Sequence, residues 1–185
     1  MYKRQTYGED PYLTGKLGCA YIRGLQGPDR DHPKAAACAK HFAVHSGPEA
    51  LRHEFDAKVS RHDLYDTYLY AFKRCVKDAG VEAVMGAYNR VNGEPACGSR
   101  TLLKNILRDE FGFEGHVVSD CWAINDFHLH HHVTGIAEES AAMAVNNGCD
   151  LNCGNAFLHL PKAYEMGLVD CLLYTSPSPR DPKTS

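Results

Sequence analysis

Short apolar runs alternate with amphipathic helical segments along this chain, and this alternation constrains its fold more than any other feature. Strand-like apolar runs are predicted at residues 35–42, 81–88, 116–119 and 149–151. Apolar residues at helical spacing predict helices at residues 11–25, 63–76, 101–110, 137–145 and 157–166. Strands that alternate with helices at this spacing are typical of parallel βαβ units.

The number of predicted strands limits how much of a closed fold the chain can form. A complete (β/α)8 barrel takes about 250 residues, and the predicted strands make up about half of its eight strands. We therefore expect the α/β class and, within it, a partial TIM-type (β/α)8 barrel that is incomplete at both ends. Ser60 is expected to cap the second helix, and Asn92-Gly93 to mark a turn.

The two ends of the chain read as translated sequencing-adaptor DNA. Residues 1–5 are what the transposase-adaptor end GTG-TAT-AAG-AGA-CAG encodes when GTG serves as the start codon, and residues 171–181 match one reading frame of the complementary adaptor. We expect residues 1–5 and 171–185 to be adaptor-derived and residues 6–170 to be a native fragment. The alternative is a natural Ser/Pro-rich tail and a chance N-terminus.

Charge and cysteine content exclude several classes of partner. The formal net charge is −3 at pH 7, and a mildly acidic chain without a basic stripe argues against nucleic acid. No apolar run approaches the ~20 residues that span a bilayer, so no membrane span is expected. The cysteines are irregularly spaced, which argues against a disulfide framework and leaves the redox compartment open. Cys149 and Cys153 have no matching second pair, so a zinc site is poorly supported.

The run at residues 115–122 is the strongest candidate for chemistry. A short β-branched stretch ends in Asp120 beside the aromatic ring of Trp122, and barrel enzymes present reactive side chains at such strand ends. A carboxylate there is suited to attack a sugar, and the Ser119 hydroxyl is expected to hydrogen-bond it. The alternative is a helix-capping aspartate at a β–α junction. Trp122 is expected to stack on a sugar ring, or else to be only partly buried.

Three other segments are expected to reach the same mouth. Lys40 and His41 follow residues 35–39 of the first strand-like run, where they could bind vicinal sugar hydroxyls; a surface lysine beside a satisfied histidine, or a Schiff-base lysine, are the alternatives. Tyr88 is expected to orient the nucleophile and Met85 to pack against the sugar, with core packing as the alternative. Arg52 and His53 lie in the loop after His41 and are expected to reach the same mouth, with Arg52 binding substrate, unless that loop is simply solvated.

The histidine cluster after Asp120 suggests a metal site. It comprises His128, His130, His131 and His132. Their spacing fits neither the two-histidine helical zinc motif nor a facial triad. We therefore expect no metal and place these side chains near the rim of the pocket.

Motifs spread over almost the whole of residues 6–170 resemble one known family. They are Gly8–Leu13, Arg23–Gly27, Lys40–Ala43, Thr67–Leu69, Met85–Gly93, Ile106–Arg108, Gly112–Gly115, Val118–Cys121 and Gly148–Leu151. In this order they resemble the N-terminal (β/α)8 domain of glycoside hydrolase family 3. The resemblance implies Asp120 as nucleophile, Lys40, His41 and Tyr88 as walls of the sugar subsite, and Met85 nearby. The Ser-Asp-Cys form is similar to the branch of β-xylosidases and related β-glucosidases.

The resemblance also implies what this segment does not carry. Members of the family hold the general acid/base on a following α/β sandwich domain, so we expect this fragment to be inactive while its parent is a retaining, exo-acting β-glycosidase. No cofactor is expected, the substrate would be a small oligosaccharide or β-glycoside, and a periplasmic or secreted location follows by analogy. The alternatives are a non-catalytic carbohydrate-binding paralogue and a metal-dependent barrel hydrolase built on the histidine cluster.

Overall fold

The computed structural model describes residues 7–170, so the two segments predicted to be adaptor-derived lie outside the described residues. The α-helices are α1 (Pro11–Gln26), α2 (Arg61–Asp63), α3 (Tyr70–Lys77), α4 (Asp126–Leu129), α5 (Ala137–Asn146) and α6 (Leu160–Glu165). π-Helical turns occupy Leu64–Tyr68 and Arg100–Glu110, and 3-10 turns occupy Glu49–Leu51, Ala96–Gly98 and Ala156–His159. The strands are β1 (Cys38–Phe42), β2 (Asp56–Ala57), β3 (Ala83–Gly86), β4 (Arg90–Val91), β5 (Glu94–Pro95) and β6 (His116–Val118).

A three-stranded parallel sheet in the order β1-β3-β6 forms the centre of the structure. β3 lies in the middle and pairs with β6 through Val84 and Val117. The pairing of β1 with β3 is irregular between Ala39 and Phe42, so Lys40 and His41 fall in a stretch where the ladder is interrupted. Such interruptions re-aim side chains at the end of a strand.

The predicted α/β class is confirmed, and the barrel is not. The strand predicted at 149–151 is reduced to a single parallel bridge between Val118 and Leu151. Within residues 7–170 the parallel strands form a small open sheet and no closed barrel. Partial-barrel geometry therefore stays a prediction.

A second small sheet, which the sequence pattern did not predict, forms from the loops after β1 and β3. β2 pairs in parallel with β4, and β4 pairs antiparallel with β5. Asn92 and Gly93 connect β4 to β5 with φ of 51° and 94°, the left-handed conformation that a tight hairpin turn requires. This sheet ties the loop that follows β1 to the loop that follows β3.

Helix α1 is capped at both ends. The Asp10 carboxylate accepts hydrogen bonds from the backbone N–H groups of Tyr12 (2.8 Å) and Leu13 (3.2 Å), which are unpaired donors of the first turn. At the other end, Gly27 takes φ of 81° and its N–H bonds to the carbonyl of Arg23. Ser60 likewise caps α2, as predicted, by accepting from the N–H of Asp63.

The main core lies between the parallel sheet and the helices packed on it. Its fully buried side chains include Phe42, Val84, Leu103, Leu107 and Val117. Burying each aliphatic or aromatic side chain of this size contributes about 1.5–3 kcal/mol. The core therefore fixes the strands whose carboxyl ends carry the candidate site.

A polar clamp, formed by the side chains of Asp150 and Arg108, fixes the position of β6. One Asp150 carboxylate oxygen accepts from the N–H of Val117 and from the guanidinium of Arg108, both at 2.7 Å. The same guanidinium donates to the carbonyl of Phe113 at 3.0 Å. Because β6 ends two residues before Asp120, this clamp also fixes the base of the nucleophile candidate. No helix within residues 7–170 has the length and apolarity to cross a bilayer.

Candidate active site

Asp120 lies at the carboxyl end of β6, on the face of the sheet that carries the candidate site. Alternation along a strand puts Val118 and Asp120 on one face and Val117 and Ser119 on the other. The Asp120 side chain is 13% exposed, so it is sheltered but reachable. The N–H of Cys121 donates to its Oδ1 at 2.8 Å, which leaves Oδ2 directed at a histidine.

The Ser119 hydroxyl does not bind the Asp120 carboxylate, and that prediction is wrong. Its oxygen instead accepts from the N–H of Cys153 at 3.0 Å and from the Asn152 amide at 3.3 Å. The reason is the strand alternation, which points neighbouring side chains to opposite faces. Ser119 therefore anchors the segment 152–153 behind β6.

His41 is the side chain that meets Asp120 most directly. Its Nε2 lies 3.3 Å from Asp120 Oδ2, and both side chains are 13% exposed. Burial lowers the pKa of His41 to about 4, against the opposing effect of the Asp120 charge; the positive charges of Lys40 and Arg52 lower it further. The imidazole is consequently neutral at pH 7 and lies directly beside the candidate nucleophile.

Lys40 and Met85 flank this pair without touching the carboxylate. Lys40 is exposed, and its ammonium makes no ion pair with a carboxylate of the described part of the chain. Met85 pairs in register with Val118, so it shares the face of the sheet that carries Asp120. Met85 thus lies on the Asp120 face of the sheet, and Lys40 is near enough to His41 for its positive charge to lower the pKa of that imidazole.

Tyr88 contacts the loop of the nucleophile rather than its carboxylate. The phenol O–H donates to the carbonyl of Cys121 at 2.6 Å. Burial raises the pKa of Tyr88, and the charge of Asp120 raises it further, so the phenol keeps the proton that it donates. The expected link between Tyr88 and Asp120 is therefore indirect and runs through the backbone.

Arg52 lies in the loop after β1 and reaches the ring of Tyr88. Its guanidinium carbon lies 5.4 Å from the centroid of the Tyr88 ring, within the range of a cation–π contact. It also pairs with the Glu49 carboxylate, one helical turn earlier. Arg52 thus forms a positively charged wall beside Tyr88.

Trp122 occupies the outer edge of the site. It is 54% exposed, and its backbone adopts φ of 68°. The N–H of Trp122 donates to the carbonyl of Cys153 at 2.7 Å, and its indole lies close to Gly154. An exposed indole beside a carboxylate provides a flat apolar surface at the mouth.

A disulfide joins Cys121 to Cys153, and the sequence analysis did not anticipate it. Their Cα atoms are 4.4 Å apart, although 32 positions separate them along the chain. The parallel bridge between Val118 and Leu151 brings the two segments together just before the cysteines. The disulfide therefore holds Cys121, the residue after Asp120, against the segment around Cys153, whose carbonyl accepts from the N–H of Trp122.

The four clustered histidines diverge instead of sharing one centre. His128 contacts the Ser140 hydroxyl at 2.9 Å, His131 stacks on Phe127 and His132 is exposed. His130 is directed to Asp126, with 3.7 Å between Nε2 and the carboxylate. Among residues 7–170, no group of three or more histidine, cysteine or acidic side chains is arranged to hold a metal ion.

Two contacts near the site were missed by the sequence analysis. His53 lies 2.8 Å from the buried Asp126 carboxylate and packs edge-on against Tyr88. His45 lies 3.3 Å from the Asn89 amide and 4.7 Å, between ring centroids, from His41. The sequence gives only a weak indication of these contacts, namely that both histidines are polar residues in a loop that follows the carboxyl end of a parallel strand.

A parallel α/β sheet that gathers polar side chains at the carboxyl ends of its strands is the scaffold of many enzymes. The chain matches the model of the glycosyl hydrolase family 3 N terminal domain over residues 2–164. The chain belongs to this family.

Curated relatives are named as xylosidases. A xylan 1,4-beta-xylosidase of Xylanibacter ruminicola is 50% identical over 170 residues, which is 90% of this chain and 20% of that protein. Beta-D-xylosidase 1 of Arabidopsis thaliana is 41% identical over 82% of this chain and 20% of its own length. The chain thus spans about one fifth of the length of these relatives.

Solved structures of the family superimpose closely. A family 3 exo-beta-xylosidase, in complex with a xylobiose aziridine activity-based probe, aligns with a TM-score of 0.88 at 33% identity, covering 91% of this chain and 23% of that one. A beta-glucosidase from Listeria innocua in complex with isofagomine aligns with a TM-score of 0.81 at 32% identity, covering 91% and 24%.

Proposed function

We propose that this chain supplies the nucleophile half of the active site of a retaining, exo-acting β-glycosidase. The observation that carries the proposal is Asp120, a sheltered carboxylate at the end of a parallel strand with a neutral His41 at 3.3 Å. In the complete enzyme we place these residues in a (β/α)8 barrel, of which the described sheet is one part.

The reaction proceeds in two displacements. Asp120 attacks the anomeric carbon as the bond to the leaving oxygen breaks, and a general acid protonates that oxygen. Water, deprotonated by the same group, then attacks the anomeric carbon and releases Asp120 with the anomeric configuration retained. No cofactor takes part in these steps.

The surrounding side chains bind the sugar. Lys40 and His41 hydrogen-bond its hydroxyls, while Met85 and Trp122 pack against its apolar faces. Tyr88 holds the backbone that follows Asp120, because its O–H donates to the carbonyl of Cys121. Arg52 completes the wall above Tyr88.

The substrate is a β-D-xyloside or β-D-glucoside, and the xylosidase names of the curated relatives favour the xyloside. The general acid/base belongs to an α/β sandwich domain outside this segment, so the chain alone is inactive. Asp126 is unsuited to that role because its carboxylate is 5% exposed and is already hydrogen-bonded by His53. Secretion or export to the periplasm is proposed, and the Cys121–Cys153 disulfide supports an oxidising compartment.

The test begins with recovery of the full-length gene that contains residues 6–170. Sequencing across both ends also tests whether residues 1–5 and 171–185 derive from adaptor DNA. The full-length enzyme is incubated with aryl β-xylosides and aryl β-glucosides, and with a 2-fluoro xyloside that accumulates the covalent intermediate. We expect hydrolysis, and a peptide map that places the sugar on Asp120.

Asp120→Asn is expected to abolish both hydrolysis and labelling. Asp66→Asn, which changes an exposed carboxylate on the helical segment before α3, is the matched control. Label on another carboxylate would overturn the role of Asp120. Sugar binding without turnover in the full-length protein would favour the non-catalytic carbohydrate-binding paralogue.

A further inference from the structure

We propose that His53 and Asp126 form a positioning pair that holds Arg52 over Tyr88 at the rim of the sugar site; this rests on the proposed function. His53 Nδ1 lies 2.8 Å from Asp126 Oδ2. The two residues are 73 positions apart, one in the loop after β1 and the other at the start of α4. Their contact therefore joins the loop that carries Arg52 to the segment that follows Asp120.

The carboxylate is the fixed member of this pair. The Asp126 side chain is 5% exposed, whereas the His53 side chain is 48% exposed. Burial raises the pKa of Asp126, and the hydrogen bond from His53 acts in the opposite direction. A buried carboxylate left without a donor is strongly destabilising. The hydrogen bond from the Nδ1–H of His53 to Asp126 therefore holds the imidazole in place.

The His53 ring transmits this constraint to the candidate sugar site. It meets Tyr88 edge-on, with 5.0 Å between centroids and an interplanar angle of 71°. Arg52 precedes His53 directly, and its guanidinium lies 5.4 Å from the centroid of the same Tyr88 ring. A displaced His53 would therefore carry Arg52 with it and expose one face of Tyr88.

Arg90 and His130 make further contacts beside the pair of His53 and Asp126. Arg90 bridges the same two loops by donating to the carbonyls of Glu54 at 2.9 Å and His131 at 3.4 Å. His130 lies 3.7 Å from the other Asp126 oxygen and 5.5 Å, between ring centroids, from His53. Since Arg90 already links the backbones of the two loops, the role left to the pair is to position the side chains of Arg52 and Tyr88.

Two variants of His53 in the full-length enzyme separate the hydrogen bond from ring packing. His53→Phe keeps an aromatic ring beside Tyr88 and loses the Nδ1–H donor. His53→Asn loses the ring and keeps an amide donor close to the position of Nδ1. A matched control is His62→Phe, because His62 forms an exposed pair with Asp66 at 3.1 Å on a helical surface.

The readouts are KM and kcat for an aryl β-xyloside, with the melting temperature recorded beside them. His53→Phe is expected to raise KM about tenfold and change kcat less than about twofold, as loss of uniform substrate binding does. His53→Asn is expected to recover most of the lost affinity. His62→Phe is expected to leave KM as it is in the wild type.

Three results would overturn the inference. They are an unchanged KM in His53→Phe, whether or not its melting temperature falls; an equal rise of KM in His53→Asn and His53→Phe; and a rise of KM in His62→Phe equal to that in His53→Phe. Each of them leaves the proposed function intact if hydrolysis still depends on Asp120. A full-length protein without Asp120-dependent hydrolysis would refute the proposed function, and this inference with it.

Discussion

The disulfide beside the nucleophile candidate should contribute measurably to stability. The perturbation is the double variant Cys121→Ala/Cys153→Ala in the full-length enzyme. The bond closes a loop with a sequence separation of 32, and in the chain-entropy treatment such a loop contributes roughly 3.7 kcal/mol at 25 °C. For a complete barrel domain of about 250 residues each kcal/mol shifts the melting temperature by about 2 °C, so the expected loss is roughly 7 °C.

The assay compares thermal unfolding of both proteins with and without a reducing agent. Reductant should lower the melting temperature of the wild type to that of the variant and leave the variant unchanged. Cys38→Ala is the matched control, because Cys38 is a free, exposed cysteine. Hydrogen exchange should rise mainly in peptides spanning 119–123 and 151–155, which the bond connects.

Either of two results would contradict a stabilising disulfide at this position. One is a melting temperature of the double variant within about 2 °C of the wild type, which corresponds to less than 1 kcal/mol. The other is alkylation of both Cys121 and Cys153 in denatured, unreduced protein. Either result would mean that the turn after Asp120 is held by hydrogen bonds alone, such as that from the N–H of Trp122 to the carbonyl of Cys153.

Other expectations concern acid, packing and solubility. His41 and His131 have a pKa of about 4 in the fold against 6.5 unfolded, so the unfolded state binds more protons between these values. The stability that these two neutral histidines contribute is fully present above pH 6.5 and is lost toward pH 4, by up to roughly 3 kcal/mol for each histidine. Thermal melts across this pH range check it, and the dependence of the melting temperature on pH should be shallower in His131→Phe. Leu107→Ala removes a fully buried side chain and should cost about 2–5 kcal/mol in urea unfolding. Residues 6–170 alone should be insoluble or molten, because the apolar side chains of α1 are exposed at Tyr12, Leu13, Leu17, Tyr21 and Leu25; a soluble monomer with a cooperative melt would contradict this.

Much of the framework could be predicted because its signals are local. The helix expected at 11–25 is α1 (Pro11–Gln26), and the caps at Asp10 and Gly27 depend only on neighbouring residues. Asp120 follows one strand-like run and His41 lies near the end of another, so the sequence alone marks both as candidates. Parallel strands bring their carboxyl ends to one edge of a sheet, and the 3.3 Å contact between these side chains follows from that geometry.

The features that were missed depend on contacts between distant segments. β2, β4 and β5 have two residues each, too few to produce an alternating pattern. Cys121 and Cys153 meet only because a bridge joins Val118 to Leu151. No spacing rule connects positions 32 or 73 residues apart, so the disulfide and the contact between His53 and Asp126 needed the fold itself.

The left-handed backbone of Trp122 sets stability against the sugar contact proposed for its indole. A bulky residue with φ of 68° costs roughly 1–2 kcal/mol relative to one that favours that region. Trp122→Gly would relieve the strain and remove the exposed indole at the mouth. Directed evolution for heat resistance would therefore favour glycine or asparagine at position 122, whereas selection on sugar affinity would retain tryptophan.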